Sequence, residues 1–184
     1  MNITLVNLPS RFDACEVFNA AVFYGEKLLS RKMLESIDLR VVFVKNLEKD
    51  HQIVGDCGWE DDNYRPREFM IRVDANMNKR RTMITLAHEM VHAKQYARGE
   101  MRDMMRREYT RWHKEPVDTD NSNYWDLPWE IEAHGRETGL YERFKVHWWK
   151  EKKNAQEAYK AKSNRSRSPH SFVLKESSEE QEGL

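Results

Sequence analysis

The stretch Leu86-Ala87-His88-Glu89-Met90-Val91-His92-Ala93 contains two histidines four residues apart, with a glutamate directly after the first. Its flanks are apolar, the polar run Asn78-Lys79-Arg80-Arg81 precedes it, and Gly99 stands where a glycine would end a helix. On a helix, His88 and His92 would share a face and could direct both imidazoles at one metal ion. The spacing predicts a buried metal-binding helix. The competing interpretation is a surface helix with an ordinary polar pair.

Glu89 would lie beside such a metal ion rather than on it. From there its carboxylate could take a proton from a metal-bound water and pass it to a leaving amine. Zinc lowers the pKa of its bound water towards 7 and polarises a carbonyl group. The motif therefore predicts a zinc-dependent metallopeptidase that hydrolyses peptide bonds through a metal-activated water, with Glu89 as general base.

A catalytic zinc ion needs a third protein ligand and one open position. The candidates for the third ligand are Glu130, Glu132, His134 and His113. Pro128 predicts the start of a helix that could run to about residue 152, on which Glu130 and His134 share a face and Glu132 points away as a solvated charge. We favour Glu130 as the ligand and His134 as a hydrogen-bond partner of a ligand. The alternative is His134 as the third ligand.

The order of the predicted elements indicates an α+β fold with one small sheet. A helix follows Ser10 and Asp13, a buried strand spans Leu39 to Lys45, and Ile53 to Glu60 with Glu68 to Asp74 form a hairpin. The expected order is an N-terminal helix, three strands, the histidine helix and a helix with the third ligand. It places an edge strand beside the metal, where an extended substrate could add by main-chain hydrogen bonds. Residues 100–116 show no clear periodicity, and residues 117–126 have the composition of a loop.

Composition predicts one domain and a charged tail. The 184 residues carry 31 basic and 31 acidic side chains, so there is no bulk attraction for nucleic acid or membranes. We expect a folded domain over residues 1–153 and a flexible tail over residues 154–184. Residues 143–167 hold nine Lys or Arg against two Glu, a net charge of +7, and could contact nucleic-acid phosphates. The alternative is a tail that only aids solubility.

Two cysteines, Cys15 and Cys57, have neither C-x-x-C spacing nor a disulfide framework, which favours a reducing cytoplasm. No stretch approaches 18 apolar residues, so we expect no membrane partner. Aromatic residues are frequent in the second half, and Trp125 and Trp129 could line a substrate cleft. A group that stabilises the oxyanion is also expected, and the candidates by chemistry are Tyr109, His113, Tyr124 and Tyr141.

The string His88-Glu89-Met90-Val91-His92, followed by Trp129-Glu130-Ile131-Glu132-Ala133-His134, resembles the gluzincin-like pattern of small phage and bacterial metallopeptidases of the ImmA/IrrE type. The resemblance implies a minimal zincin fold, peptide-bond hydrolysis, and a cytoplasmic location, in the host if the protein is phage-encoded. It implies Glu130 as the third zinc ligand, with His134 where that pattern has Asp or Asn. The first motif also resembles SprT-like proteases, which act on DNA-bound proteins, but only His134 and Gly135 match their second motif.

Three hypotheses follow from the sequence. The first is a soluble zinc metallopeptidase that acts on a protein or peptide substrate. The second is a non-catalytic protein whose fold is stabilised by zinc. It predicts a closed site with four protein ligands, in which His113 or His134 is added. The third is a nucleic-acid-associated protein that acts through its basic C-terminal segment.

Overall fold

The computed structural model describes the backbone of residues 1–104 and 109–166, and the side chains of residues 1–104 and 109–160. The chain divides into two compact units, Met1–Trp148 and Trp149–Leu184. Every strand of the described residues lies in the first unit. Within the described part of the chain, no helix combines the length and apolar character needed to cross a membrane.

The first half of the chain builds a four-stranded sheet with helices packed against it. The elements in order are β1 (Asn2–Val6), α1 (Ala14–Leu28), α2 (Arg31–Glu35), β2 (Asp38–Val44), α3 (Leu47–His51), β3 (Gly55–Trp59), β4 (Glu68–Asp74) and α4 (Lys79–Arg98). The strand order is β1-β2-β4-β3, in which β1, β2 and β4 are parallel and β3 is an antiparallel edge strand. The mixed α+β class and the β3–β4 hairpin are confirmed.

The predicted number of three strands is wrong, because β1 adds a fourth by pairing with β2 from Asn2↔Asp38 to Val6↔Val42. This strand is short and partly exposed, and its partner lies more than 30 residues away, so no local pattern marks it. The predicted N-terminal helix is present, but it begins at Ala14 rather than directly after Ser10, because Asp13 is the N-cap and accepts a hydrogen bond from the Cys15 amide. It ends at Leu28, and Met33 belongs to the separate short helix α2.

The core lies between the sheet and the helices α1 and α4. Alternate side chains of β2 and β4 are buried, namely Leu39, Val41, Phe43, Phe69, Ile71 and Val73. They join one cluster with apolar side chains of α1 and α4, among them Val17, Tyr24, Leu86 and Val91. This packing buries α4 on most of its circumference, so its polar residues are held among apolar neighbours.

Both ends of α4 agree with the sequence. The Asn78 side chain accepts a hydrogen bond from the Arg81 amide and caps the first turn. Gly99 ends the helix with φ of 70°, a left-handed conformation that costs glycine little. The predicted helix around the histidine motif is therefore confirmed, and both of its histidines are buried.

The segment that the sequence left unassigned forms a second, three-stranded sheet. Strands β5 (Met101–Asp103), β6 (Thr110–Trp112) and β7 (Glu115–Val117) are antiparallel, and residues 105–108 between β5 and β6 lie outside the described residues. A 3₁₀ turn at Tyr124–Asp126 then leads into α5 (Pro128–Ser166).

Helix α5 begins at Pro128 as predicted, but it continues to Ser166 and so passes the expected end near residue 152. The division at residue 153 into a domain and a flexible tail stays a prediction, because residues 167–184 lie outside the described part of the chain.

Candidate metal centre

Three buried side chains from two helices converge on one point. His88 and His92 come from α4, Glu130 comes from the first turn of α5, and their exposed fractions are 8%, 8% and 7%. The Nε2 atoms of the two histidines are 3.0 Å apart. Carboxylate oxygens of Glu130 lie 3.3 Å from Nε2 of His88 and 3.5 Å from Nε2 of His92.

These separations suit a shared metal ion. Ligand atoms about 2.1 Å from a tetrahedral zinc ion lie about 3.4 Å from one another, close to the three distances in the cluster. Two imidazoles and one carboxylate are also a donor set that zinc prefers. The group of His88, His92 and Glu130 could therefore hold a metal ion.

The other ring nitrogen of each histidine has its own acceptor. Nδ1 of His88 lies 2.8 Å from Oε2 of Glu137, and Nδ1 of His92 lies 2.8 Å from Oε1 of Gln95. Because a carboxylate and an amide oxygen only accept, each Nδ1 is the donor. This leaves the Nε2 lone pairs free to face the centre of the cluster, the arrangement that orients metal-binding histidines.

Gln95, the hydrogen-bond partner of His92, belongs to a buried ionic network. The Gln95 amide donates to the Trp129 carbonyl at 3.0 Å and to Oε2 of Glu132 at 3.1 Å. Lys94, whose exposed fraction is 5%, donates to Glu132 at 2.7 Å and pairs with Glu100 at 2.6 Å. Glu132 is therefore not the solvated helix charge that the sequence indicated. It links the buried lysine to Gln95 and, through Gln95, to His92.

The charges and hydrogen bonds of the cluster favour a cation at its centre. Burial lowers the pKa of His88, but hydrogen bonds to Glu130 and Glu137 outweigh it and raise the value to about 9. Burial alone would raise the pKa of Glu130, yet hydrogen bonds from His88, His92 and Tyr124 hold it well below its usual range. Histidine binds a metal ion in its neutral form, so a cation at the centre could take the place of the proton.

Glu89 lies beside the three ligand candidates and is 4% exposed. Burial is the main cause that raises its pKa to about 7; the charges of His92 and His88 oppose the shift, and those of Asp56 and Glu130 add to it. A carboxyl group with a pKa near neutrality can both accept and release a proton.

The edge strand β3 approaches Glu89 through Gly55. A Cβ atom at Gly55 would lie 2.6 Å from Cγ2 of Thr85 and 3.0 Å from Oε1 of Glu89. The missing side chain thus lets the strand backbone pass directly over the carboxylate. A cleft at this point can bring an extended chain close to Glu89.

Two adjoining cavities open onto the centre. One of about 280 Å³ is lined by the three ligand candidates, Glu89, Cys57 and Trp129, among others. The second, of about 570 Å³, continues past Glu89 along residues 52–55. Both include Gly55, His88, Glu89 and Tyr124 in their walls. Burial raises the pKa of the Cys57 thiol, with the charge of Glu89 adding to the effect, so this thiol stays protonated at neutral pH.

His134 lies next to the cluster but does not join His92 and Glu130. Its ring packs on that of His88 with 4.6 Å between centroids, and its Nδ1 is 3.4 Å from Oε2 of Glu137. It belongs to a second group with His88 and Glu137 whose ligand atoms also lie close together. His113 is in the β6–β7 turn and lines a separate cavity with Lys94.

Of the four candidates for stabilising an oxyanion, the structure brings Tyr124 to the centre, where its hydroxyl donates to Oε2 of Glu130 at 2.7 Å. Tyr109 contacts Arg111, and Tyr141 packs beneath Arg80. Of the two tryptophans, Trp129 lines the cavity of the centre, whereas Trp125 is 65% exposed and packs on His134.

Sequence reasoning missed the two residues that hold the histidine Nδ1 atoms. Glu137 is seven residues after Glu130 and therefore lies on the same face of α5. Gln95 is three residues after His92 and shares its face of α4. Helical spacing from the ligand candidates would have identified both as neighbours of the site.

The chain matches no protein-family model, no curated protein and no solved structure.

Proposed function

We propose that the protein is a zinc-dependent metallopeptidase in which His88, His92 and Glu130 hold the metal ion. The observation that carries the proposal is the convergence of these three buried groups, at separations of 3.0 to 3.5 Å, beside a buried glutamate in an open cleft. When bound, zinc supplies a Lewis acid that makes water a better nucleophile near neutral pH and polarises the scissile carbonyl.

Glu89 is the general base of this proposal. It is next to His88 on α4 and lines the cleft without belonging to the group of ligand candidates. Its carboxylate takes a proton from the attacking water and delivers it to the departing amine nitrogen, so that one group serves both steps. Gly55 lets the backbone of β3 lie close to this carboxylate, because a Cβ atom there would be 3.0 Å from its Oε1.

Tyr124 is the best placed residue to stabilise the oxyanion. Its hydroxyl already points at the centre, where it donates to Glu130, and it lines both cavities. A phenol that swings from this carboxylate to the substrate would donate to the oxygen on which negative charge develops. The role predicts that Tyr124→Phe lowers kcat while zinc binding is retained.

The substrate of this proposal is an extended peptide chain. Strand β3 hydrogen-bonds to β4 on one side and forms an edge of its sheet on the other. Its residues Gly55 to Cys57 line the cavity of the centre, so a peptide added along the strand would pass over Glu89. Main-chain hydrogen bonds would then position the scissile bond.

The weaker alternative is a structural zinc site that only stabilises the fold. Such a site would be closed by a fourth protein ligand, for which His113 and His134 were the candidates. Among the described residues, neither joins the group of His88, His92 and Glu130. Three ligands that line a cavity leave a coordination position open, which supports a catalytic role.

The basic segment 143–167 remains a prediction of weak nucleic-acid contact. Its described lysines and arginines up to residue 160 lie on α5 and are exposed. Exposed charge alone is also what a solubilising helix needs, so we place no function on this segment.

The test is zinc content by elemental mass spectrometry together with hydrolysis of a broad peptide library. We expect about one zinc ion per wild-type chain, loss of zinc in Glu130→Ala, and retained zinc but no hydrolysis in Glu89→Gln. Glu16→Gln is the matched control, because Glu16 is a buried glutamate on α1 that pairs with Lys79 away from the centre. It should keep both zinc and activity.

Three results would contradict the proposal or a part of it. A wild-type chain that holds no zinc after reconstitution would remove the metal site. A Glu89→Gln variant that still hydrolyses peptides would remove the general base. Loss of zinc in His134→Ala but not in Glu130→Ala would transfer the third ligand to the histidine.

A further inference from the structure

A third cavity, of about 490 Å³, adjoins the metal centre at the other end of β3. It shares Tyr96 and Met101 with the cavity of the centre. Its walls combine the aromatic rings of Trp59, Tyr64 and Tyr96 with four charged residues, Arg102, Arg111, Asp62 and Asp103. A side chain or chain end of a peptide that crosses the centre along β3 can therefore enter it.

Two of the charged residues face each other across the second sheet. Arg102 on β5 and Arg111 on β6 are direct partners in the antiparallel ladder. Directly opposed side chains lie on the same face of the sheet, and like charges in this position destabilise the pair. Such an arrangement is costly unless an anion neutralises it.

No carboxylate of the described residues does so. Six other arginines pair with carboxylates, namely Arg31, Arg40, Arg72, Arg81, Arg98 and Arg136, whereas Arg11 and Arg67 donate to backbone carbonyls. Arg102 and Arg111 form no such pair within residues 1–104 and 109–160, although Asp62 and Asp103 line the same cavity. Arg102 stacks over the ring of Tyr64 at 3.8 Å, and the Nε atom of Arg111 is buried without a hydrogen-bond partner.

We propose that Arg102 and Arg111 bind a carboxylate of the substrate, supplied by an acidic side chain or by the C-terminus of the peptide. This subsite rests on the proposed peptidase function. The planar guanidinium group matches a carboxylate with two parallel hydrogen bonds, and two such groups on one face offer more donors than one carboxylate needs. Trp59 and Tyr96 add apolar wall to the same cavity, which can take up the carbon chain that carries the carboxylate.

The test uses a set of acetylated, amidated ten-residue peptides in which one Glu is moved through an otherwise uncharged sequence. Each has a partner with Gln at the same position, and one further uncharged peptide has a free C-terminal carboxylate. Binding is measured by calorimetry on the zinc-loaded Glu89→Gln protein, and cleavage by mass spectrometry on the wild-type protein. The first measurement does not depend on turnover.

We expect one Glu position, or the free C-terminus, to lower Kd by about 10-fold relative to its neutral partner, as charge-assisted hydrogen bonds do. The gain should disappear when Arg111→Gln or Arg102→Gln is added. Arg31→Gln is the matched control, because it removes the same charge from an exposed pair on α2, and it should keep the gain. A gain for Glu identifies an acidic side chain as the source, and a gain for the free end identifies the C-terminus.

The subsite is overturned if no peptide gains affinity from a carboxylate, or if the gain survives both arginine substitutions. Binding with this preference but without cleavage by the wild-type protein would contradict the peptidase and support the subsite. Cleavage by the wild-type protein without any preference for a carboxylate would support the peptidase and contradict the subsite. A separate readout requires no peptide: Arg111→Gln should raise the midpoint of thermal unfolding, because it removes the opposed charge.

Discussion

His88 and His92 lie one turn apart on the same face of α4, yet the groups that hold their Nδ1 atoms differ in charge and in connection. His88 donates to the carboxylate of Glu137, and the ring of His134 packs against it. His92 donates to the neutral amide of Gln95. Glu137 borders the larger cavity, whereas Gln95 is fully buried and joined to the network of Lys94.

The difference indicates a division of roles between the two histidines. A carboxylate partner raises the basicity of His88 and so strengthens its interaction with a cation. The buried network around Gln95 holds His92 by tying α4 to the first turns of α5, where Glu130 is also located. We therefore expect changes behind His92 to lower both the free energy of unfolding and metal affinity, and changes behind His88 to lower metal affinity with little effect on folding.

The largest expected effect is on stability, from Lys94→Met. The variant removes the buried cation that Glu132 and Glu100 share, and it leaves each carboxylate one half-exposed arginine, Arg136 for Glu132 and Arg98 for Glu100. Removing one partner of a buried ionic pair costs about 3–5 kcal/mol in the free energy of unfolding, and because the two arginines remain we expect the lower end of this range. Urea denaturation measures it. A loss below about 1 kcal/mol would show that the network is not structural, since that is the range of surface ion pairs.

Metal removal should have the next largest effect on stability. Zinc that binds the folded chain at a free concentration 100 times its Kd adds about 2.7 kcal/mol to the free energy of unfolding. Thermal unfolding with zinc and with a chelator should therefore differ in the wild type and coincide in Glu130→Ala. A difference that persists in Glu130→Ala would assign the effect to other ligands.

Gln95 and Glu137, which accept hydrogen bonds from Nδ1 of His92 and of His88, can be compared through zinc affinity. Gln95→Leu leaves Nδ1 of His92 buried without an acceptor, and we expect zinc affinity to fall by about 10- to 100-fold. Glu137→Gln gives His88 the same neutral partner that His92 has, and should lower the affinity by about 10-fold. Competition with a chromophoric chelator measures both affinities, and urea denaturation measures the stability of the two variants, which should fall more in Gln95→Leu. Equal stability losses in the two variants would contradict the division of roles.

The smallest expected effect is from His134→Ala. The ring of His134 packs on His88 and contacts Glu137, but it does not join the group of His92 and Glu130. Zinc affinity should change by less than about 10-fold, the lower limit for groups that directly orient a metal ligand. The same chelator competition tests this. A complete loss of zinc would identify His134 as a ligand. It would also contradict the distinction between the surroundings of His88 and those of His92.

The sequence alone was sufficient wherever the signal is local. Spacing of four residues placed His88 and His92 on one helix face, Gly99 marked the end of that helix, and Pro128 marked the start of the next one. Helical phase placed Glu130 and His134 on one face and left the choice between them open, and the fold brings Glu130 to the two histidines. Capping, periodicity and turn chemistry act over a few residues, so they can be read without knowing the fold.

Only the tertiary structure decided what surrounds these residues. The pairing of β1 with β2 and the ion pair between Glu132 and buried Lys94 join segments more than 30 residues apart, which no local rule relates. Arg102 and Arg111 face each other because of the register in which β5 and β6 pair, and these two short strands show no clear periodicity in the sequence. Such contacts are set by packing of the whole chain, which buries a polar group only where another segment supplies its partner.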